Sequence, residues 1–312
     1  MEQLRPGLLR VTFELPLGID HVHCYLLRSA DGTWTLVDAG LGVRDPERVW
    51  APVLDALDGP VERIVVTHLH PDHVGGSADV AALTGARVHQ GRLDYEQTLG
   101  AWGDERTPAR SAEHLAANGM PDELVAQIRG EGAWLREHVR FVRDPQLLDA
   151  GDRVDAWEVL HLPGHADGHI ALLKDGVLIA GDTILGRITP TVGLYQQSRP
   201  DPLGDYLASL RRIAGLGAHV AFAGHEAPVD DPETRVRELE AHHEERMGAA
   251  LRALAEEPRS AYAVSLELFP SELPPGQRRF AVAESLAHLE RLVVEGQARR
   301  EQGDGVTRYR RR

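Results

Sequence analysis

A short stretch of this chain carries four candidate metal ligands within six residues. The sequence THLHPDH at residues 67–73 directly follows the apolar, strand-like run IVV. His68 and His70 fall on the same side of an extended chain leaving the strand. Asp72 and His73, at the start of the following helix, can turn toward the same point. Solvated loop histidines are the weaker alternative, because the pattern places four ligand-type residues at one strand end.

The residue types in this stretch suit a divalent transition metal. Neutral imidazole binds Zn²⁺ and its first-row neighbours, and zinc also accepts carboxylate oxygens. Four ligands on one short loop cannot all reach one ion well, so two ions are the more economical arrangement. Two ions require further ligands from elsewhere in the chain.

Later segments supply three such candidates, each at the end of a strand-like run and each directly after a glycine. They are His165, Asp182 and His225. Glycine lets the backbone turn sharply and approach an ion closely. A centre with two ions activates water directly, so no serine or cysteine nucleophile is required. The single Cys24 is therefore expected to be a core thiol, and Asp72 is expected both to bind a metal and to orient the attacking hydroxide.

Strand-like and helix-like segments alternate around these motifs. Short β-type runs fill the first 70 residues and return between residues 146 and 225. Residues 99–143 are polar and helical in character, and we predict a helical insertion there that forms a lid. Its large apolar residues are expected to line a pocket or a subunit contact, with core packing under the lid as the alternative; they are Trp102, Met120 and Trp134. Two β-rich halves flanked by helices predict a layered α/β sandwich.

The last quarter of the chain has a different order. A long helix is predicted to about Glu257, followed by a helix that Ser260 caps, a helix over residues 278–295, and a hairpin turning at residues 303–305. This is the order of a helix-turn-helix with a wing. We therefore predict a catalytic domain over residues 1–234, followed by a linking helix and a winged-helix domain over residues 235–312.

Charge and hydropathy limit the partners of the chain. Its net charge is −14; residues before position 235 carry 20 basic and 35 acidic side chains, hence −15, and the remainder carries 14 and 13, hence +1. A negative catalytic part repels a phosphate backbone, so nucleic acid is an unfavourable partner. No apolar run approaches the ~18–20 residues of a membrane span, and no secretory signal is visible. We expect a cytoplasmic protein without membrane association.

These motifs resemble those of the metallo-β-lactamase superfamily, in its hydroxyacylglutathione-hydrolase-like (glyoxalase II-like) branch. The resemblance covers about residues 8–230 and implies a four-layer αββα sandwich. It implies one ion held by His68, His70 and His165, a second held by Asp72, His73 and His225, and Asp182 as the bridge. It also implies that Asp38, at the end of an early strand, supports the ligand loop, whereas a simple turn aspartate is the alternative. The tail resembles the winged-helix extension of one branch, some of whose members are called RNases.

The resemblance implies a binuclear metal-dependent hydrolase. A metal-bound hydroxide is expected to attack a thioester or ester carbonyl of a small molecule. Zn²⁺ is the first choice of metal, with Mn or Fe as alternatives. Two other functions stay open: an RNA phosphodiesterase, and a winged-helix regulatory or binding protein with incidental hydrolysis. The sequence also leaves open a homodimer and substrate contacts from four residues near the expected mouth of the site, namely His21, His23, Arg187 and Tyr195.

Overall fold

The computed structural model describes residues 1–16, 18–254 and 257–312. Its first β-sheet has seven strands that neighbour one another in chain order: β1 (Glu2–Arg5), β2 (Leu8–Glu14), β3 (His21–Arg28), β4 (Trp34–Val37), β5 (Val61–Val66), β6 (Arg87–Gly91) and β7 (Gln146–Leu148). Strands β1 to β4 pair antiparallel through short turns, and β4 to β7 pair parallel. Parallel strands need crossover connections, which the intervening helices provide.

The second sheet has five strands in the order β12-β11-β10-β9-β8. They are β8 (Arg153–Val154), β9 (Trp157–His161), β10 (Ile170–Lys174), β11 (Val177–Gly181) and β12 (Val220–Ala223). Only β11 and β12 pair parallel. The sequence predicts one strand across β8 and β9, but Asp155 adopts a left-handed φ of 51° and turns the chain between them. Both sheets are therefore mixed: each combines antiparallel pairs with at least one parallel pair, as expected for an α/β chain.

Ten α-helices surround the sheets within the described residues: α1 (Pro46–Leu54), α2 (Pro71–Val74), α3 (Ser77–Thr84), α4 (Arg92–Thr98), α5 (Thr107–Ala117), α6 (Asp122–Glu137), α7 (Pro202–Ala214), α8 (Pro232–Ala253), α9 (Ala261–Leu268) and α10 (Pro275–Val294). One π-helical turn, Leu99–Gly103, follows α4. None of these helices is both long enough and apolar enough to cross a bilayer.

Apolar side chains divide the molecule into layers. Tyr25 and Val65 of the first sheet share a core with Leu172 of the second, so the two sheets pack face to face. Helices α1 and α3 cover the outer face of the first sheet, and α7 and α8 cover that of the second. This helix–sheet–sheet–helix arrangement is the layered α/β architecture that the sequence predicts.

The predicted lid is helical, and its apolar side chains pack mainly against the C-terminal region. Leu115 and Met120 share one core with Leu286 of α10 and Tyr309 near the C terminus. Met120 is therefore a core residue rather than part of a pocket. Trp134 is 42% exposed and lies against the ring of His138, with 4.3 Å between ring centroids. The lid and the C-terminal region thus stabilise each other.

Beyond α10 the chain forms one two-stranded sheet, β13 (Ala298–Gly303) and β14 (Val306–Arg311). Asp304 and Gly305 turn the hairpin, both with positive φ, at the position that the sequence predicts. The C-terminal region is therefore helical with a small sheet, and the winged-helix assignment stays a prediction. So does the domain division, since its boundary at residue 234 falls inside α8. The long helix ends at Ala253, and residues 255–256 of its predicted last turn lie outside the described residues.

Glu284 of α10 is a buried carboxyl whose ionisation should oppose folding. Burial raises its pKa from an ordinary value near 4.5 to about 7, although Arg246 favours the charged form. The folded chain therefore loses stability as the pH rises from about 4.5 through about 7. We expect Glu284→Gln to be more stable than the wild type at pH 8 by at least about 1 kcal/mol, and this advantage should vanish at pH 4.

Urea unfolding at both pH values measures this difference. Glu272→Gln, at an exposed position, is the matched control. An equal effect of Glu284→Gln at pH 4 and pH 8 would contradict the assignment.

Candidate metal centre

All seven candidate ligands converge at one edge of the paired sheets. Four follow β5, and the other three follow β9, β11 and β12: His68, His70, Asp72, His73, His165, Asp182 and His225. Asp182 lies at the centre of the group. Its Oδ2 atom is close to the Nε2 atoms of four rings, at 3.1 Å from His225, 3.5 Å from His73, 3.6 Å from His165 and 4.0 Å from His68.

The ligand atoms form two groups that meet at Asp182. Within each group all ligand atoms lie within 4.8 Å of one another: His68, His70 and His165 in one, Asp72, His73 and His225 in the other. A third combination joins Asp182 to His68 and His73, one from each group. This partition is the one that the resemblance implies for two ions.

Several atoms at the centre have no protein partner. His73 Nε2, His165 Nε2 and Asp182 Oδ1 are buried and make no hydrogen bond within the described chain. A buried polar atom without a partner is unfavourable, and an ion or a water satisfies it. Three such atoms, all nitrogen or carboxylate oxygen, converge at this centre, so the residues fit divalent metal ions.

The fold fixes which ring nitrogen faces the centre. His225 Nδ1 donates to the His21 carbonyl at 2.6 Å, and His165 Nδ1 donates to the Thr191 carbonyl at 2.8 Å. His73 Nδ1 donates to Asp38 Oδ2 at 2.8 Å. Because Nδ1 of each ring donates to a carbonyl or carboxylate oxygen, Nε2 is the nitrogen that faces the centre and can bind an ion.

Two carboxylates give the centre its negative field. Burial opposes the charged form of Asp182, but His73 and His225 outweigh it and hold the pKa of this carboxyl well below its usual range. Burial likewise lowers the pKa of His225, yet Asp182 and Asp72 raise it overall to about 10. The field that attracts protons to these rings also attracts metal cations.

Asp38 ties the ligand loop to the first sheet. Its Oδ1 accepts from the Thr67 N–H at 2.8 Å, and its Oδ2 accepts from the Thr67 hydroxyl at 2.8 Å and from His73. Its backbone is left-handed, with φ 61°. These contacts reach the residue before His68 as well as His73, so Asp38 supports the ligands and is more than a turn residue.

Glycines allow the closest approaches around Asp182. A Cβ atom at Gly224 would lie 2.3 Å from Asp182 Oδ1 and 2.7 Å from a ring carbon of His73. At Gly181 the φ of 49° is left-handed, and a Cβ atom would lie 2.6 Å from His169 Nε2. The predicted purpose of these glycines, close approach to the centre, is what the geometry shows.

Leu69, between two ligands, is held by residues that the sequence did not indicate in this role. Its N–H donates to Asp94 Oδ1 at 2.9 Å, and its carbonyl accepts from the indole N–H of Trp102 at 2.7 Å. Asp94 is fully buried, which raises its pKa to about 7, and its other oxygen accepts from Gln90. Trp102 therefore positions the ligand loop, which differs from the pocket or subunit contact predicted for it. No pattern in the sequence indicated Asp94, because its partner is the backbone N–H of a residue 25 positions earlier.

Trp102→Phe should test this support. The substitution keeps the ring but leaves the Leu69 carbonyl without its donor. We expect about 10-fold weaker metal affinity and a loss of about 1 kcal/mol in unfolding free energy. Chelator competition and urea unfolding measure the two effects. Trp134→Phe, at an exposed tryptophan, is the control, and equal metal affinities in the two variants would disprove the role.

Three other histidines are hydrogen-bonded to residues beside the ligands. His169 is buried, accepts from the Asp182 N–H at Nε2 (3.1 Å) and contacts the Thr183 hydroxyl at Nδ1. His21 Nε2 accepts from the Glu226 N–H, and His23 Nε2 donates to the Glu226 carbonyl. The rings of His21 and His23, which the sequence leaves open as substrate contacts, are thus both hydrogen-bonded to the backbone of Glu226.

The remaining two candidates for substrate contact lie in the segment after Asp182. Arg187 is on an exposed loop. Tyr195 lines a cavity of about 70 Å³ between α5 and α10, together with Leu115 and Leu286, and burial raises its pKa to about 12. Tyr195 therefore lies in a cavity between two helices, whereas the side chain of Arg187 is accessible from outside.

Family models match most of the chain. Residues 17–225 match the model described as the metallo-β-lactamase superfamily, and residues 247–312 match the one described as the metallo-β-lactamase-like C-terminal domain. The chain is 26% identical to the "Probable metallo-hydrolase YqjP" of Bacillus subtilis over 90% of both chains. More distant relatives are a hydroxyacylglutathione hydrolase of Methylobacillus flagellatus (29% identity, 65% of this chain, 66% of that one) and an atrochrysone carboxyl ACP thioesterase of Passalora fulva (26%, 82% and 64%).

Solved structures agree with the fold along the whole chain. A metallo-β-lactamase family protein from Thermus thermophilus, TTHA1429, is 39% identical, with a TM-score of 0.86 over 99% of this chain and all of that one. TTHA1623, solved in a di-iron-bound form, is 27% identical, with a TM-score of 0.50 over 75% of this chain and 96% of that one. The similarity to the glyoxalase II branch rests on the distant relative alone.

Proposed function

We propose a function for this chain from one premise: it belongs to the metallo-β-lactamase superfamily. It is a metal-dependent hydrolase that uses two divalent ions to cleave a thioester or ester bond of a small molecule. The observation that carries this proposal is the pair of buried ligand groups around Asp182, with three polar atoms that lack any protein partner within the described residues.

The ligand groups assign the residues. One ion would be held by His68, His70 and His165, the other by Asp72, His73 and His225, with Asp182 shared. Two divalent ions in such a site supply an activated water and polarise the substrate oxygen. The nitrogen and carboxylate donor set favours Zn²⁺. Iron is the first alternative, because TTHA1623 was solved in a di-iron-bound form, and manganese is the second.

The protein itself keeps the candidate ligands in place and largely buries them. Asp72 Oδ2 lies 3.4 Å from His225 Nε2 and 3.8 Å from His73 Nε2, and the residue is 8% exposed. We assign Asp72 a second role beside ligation: its carboxylate accepts a hydrogen bond from the attacking water and orients it. The hydrogen bonds from Asp38, Asp94 and Trp102 keep the ligand loop in place, so little reorganisation accompanies the reaction.

Two observations favour a carbonyl substrate over RNA. The relatives named as a hydroxyacylglutathione hydrolase and an ACP thioesterase are named for thioester chemistry. The region before residue 235 carries −15, which disfavours a polyanion. In the basic tail, Arg310 pairs with Glu301 and Arg308 donates to the Gly303 carbonyl, so part of its charge is used inside the hairpin.

A substrate panel tests the reaction class. Purified protein loaded with Zn²⁺, Mn²⁺ or Fe²⁺ is assayed against thioesters, oxygen esters, lactones, phosphodiesters and RNA. We expect hydrolysis of thioesters or esters, abolished by a chelator and restored by metal. Cleavage of RNA with kcat/KM above that of every ester and thioester would overturn the proposal.

The tail is proposed to stabilise the fold instead of binding nucleic acid. Tyr309 is buried in the core shared by the lid and α10, so deleting residues 299–312 would damage the core. Substituting Arg311 and Arg312 by Gln is the sharper test, because both side chains are exposed. Salt-dependent binding of RNA or duplex DNA that this double variant loses would contradict the proposal. Sedimentation of the wild type decides between a monomer and a homodimer.

A further inference from the structure

The loop after Asp182 is held by hydrogen bonds from several neighbouring segments of the chain. It runs over residues 183–191, and only Arg187 and Ile188 are exposed; we call these two residues the crest of the loop. At one end it continues from Asp182, and at the other the Thr191 carbonyl accepts from His165 Nδ1. Two candidate metal ligands therefore anchor the two ends, which places the crest at the rim of the metal centre.

The N–H groups of the crest are bound by Glu226. Its Oε2 accepts from the Arg187 N–H at 2.7 Å and from the Ile188 N–H at 3.1 Å. Glu226 directly follows His225 and has a left-handed φ of 66°, which for a residue with a side chain is unfavourable by about 1 kcal/mol or more. Its own N–H and carbonyl are held by His21 and His23. The segment that carries the candidate ligand His225 is thus joined to the crest through the strained residue Glu226.

The carbonyl groups of the same crest are bound by Arg235 of α8. Its Nε donates to the Leu185 carbonyl at 2.8 Å, and its Nη2 donates to the carbonyls of Arg187 and Ile188 at 3.1 and 2.9 Å. The backbone of the crest is therefore hydrogen-bonded on both sides, by a carboxylate and by a guanidinium. A loop held in this way has little freedom left to lose when a ligand binds.

The two side chains that this crest displays are free to meet a ligand. The Arg187 side chain is 88% exposed, and within the described chain its guanidinium makes no hydrogen bond; the nearest carboxylate oxygen, Glu226 Oε1, is 4.0 Å away. Ile188 is 44% exposed beside it. A cation next to an apolar surface, on a rigid backbone, suits an anion attached to an apolar group.

We propose that Arg187 and Ile188 determine substrate specificity by binding a carboxylate or phosphate group and the adjacent apolar part of the substrate. Glu226 and Arg235 are positioning residues, which act through the loop backbone. This inference rests on the proposed hydrolysis and adds the substrate class: an anionic thioester or ester. The anion can sit on the acyl part or on the thiol part, and the experiment separates the two sources.

Four thioesters form the test: butyryl and succinyl groups, each on N-acetylcysteamine and on coenzyme A. We expect the wild type to prefer one charged series over its neutral counterpart. The preference is measured as the ratio of kcat/KM for the charged substrate to kcat/KM for the neutral one. Arg187→Gln should lower this ratio about 10-fold, mainly by raising KM for the charged substrate, because one charge-assisted contact is lost. Arg299→Gln, at an exposed arginine of β13, is the matched control and should keep the ratio. If the succinyl series responds, the anion is a carboxylate; if the coenzyme A series responds, it is a phosphate.

An equal loss for neutral and charged substrates, or no change in the ratio, would overturn the inference. If the wild type hydrolyses none of the four thioesters, the kinetic ratio cannot be formed, and binding then decides the inference independently of the proposed function. Calorimetry with the corresponding thioethers, which cannot be hydrolysed, measures the same ratio as dissociation constants. A charged thioether that binds wild type and Arg187→Gln equally well would disprove the recognition role.

Discussion

Asp182→Asn is expected to fold normally, to lose part of its bound metal and to lower turnover by at least ~100-fold. Asp182 Oδ2 lies within 4.0 Å of the Nε2 atoms of rings in both ligand groups, while Oδ1 is buried without a partner in the described part of the chain. Two dications repel each other, and an anionic carboxylate between them offsets that repulsion. A neutral amide of the same shape removes the charge and replaces one acceptor oxygen by a donor.

Metal content per chain and turnover should be measured together on wild type and variant, with thermal unfolding as the check on folding. Asp45→Asn is the matched control, since Asp45 caps α1 through the Arg48 N–H and asparagine is an equally good cap. Two retained ions with a near-normal rate in Asp182→Asn would show that the two-ion assignment is wrong. Loss of stability alone, with metal and turnover retained, would reduce Asp182 to a structural role.

The candidate ligands were predictable because they are concentrated in short patterns. Four lie in one hexapeptide after an apolar strand, and the other three each follow a glycine at a strand end. Both signals are local, so one sequence is enough to detect them. The structure brings all seven to one point because the ends of β5, β9, β11 and β12 meet at one edge of the paired sheets.

The supporting residues were harder to predict because their partners are backbone atoms far away in sequence. Asp94 binds the N–H of Leu69, and Arg235 binds carbonyls about 50 residues earlier in the chain. Any residue type can provide a backbone group, so no pairing pattern marks these contacts in the sequence. Trp102 shows the same difficulty: its apolar ring suggested a pocket, whereas its indole N–H decides its role.

Differences in the fold have similar causes. The polar segment of β1 gives no alternation of apolar residues, so nothing marked it as a strand before its pairing with β2. The turn at Asp155 interrupts a sequence that otherwise looks like one continuous strand, because aspartate tolerates the left-handed conformation without a glycine. The packing of Leu115 and Met120 against α10 joins segments more than 150 residues apart, beyond what local patterns encode.

Asp38→Asn is expected to weaken the binding of one of the two ions by 10- to 100-fold, with a parallel loss of turnover. In the wild type, Asp38 Oδ2 accepts from His73 Nδ1, so a proton is held on Nδ1 and Nε2 is the nitrogen that faces the centre and can bind an ion. The amide of asparagine can keep its oxygen on the Thr67 N–H, and its NH₂ group then faces His73. An NH₂ group donates, so it favours the ring tautomer with the proton on Nε2, which cannot bind a metal.

The backbone should tolerate this change, because asparagine accepts the left-handed φ of 61° as readily as aspartate does. Asp155→Asn is the matched control: it is also a left-handed aspartate that accepts side-chain hydrogen bonds, but its partners are Ser29, Thr35 and Arg63. Metal titration of both variants, with urea unfolding alongside, separates loss of an ion from loss of stability. If Asp38→Asn binds both ions with wild-type affinity, the tautomer of His73 is not set by Asp38. If instead only its unfolding free energy falls, Asp38 acts on the loop through Thr67 alone.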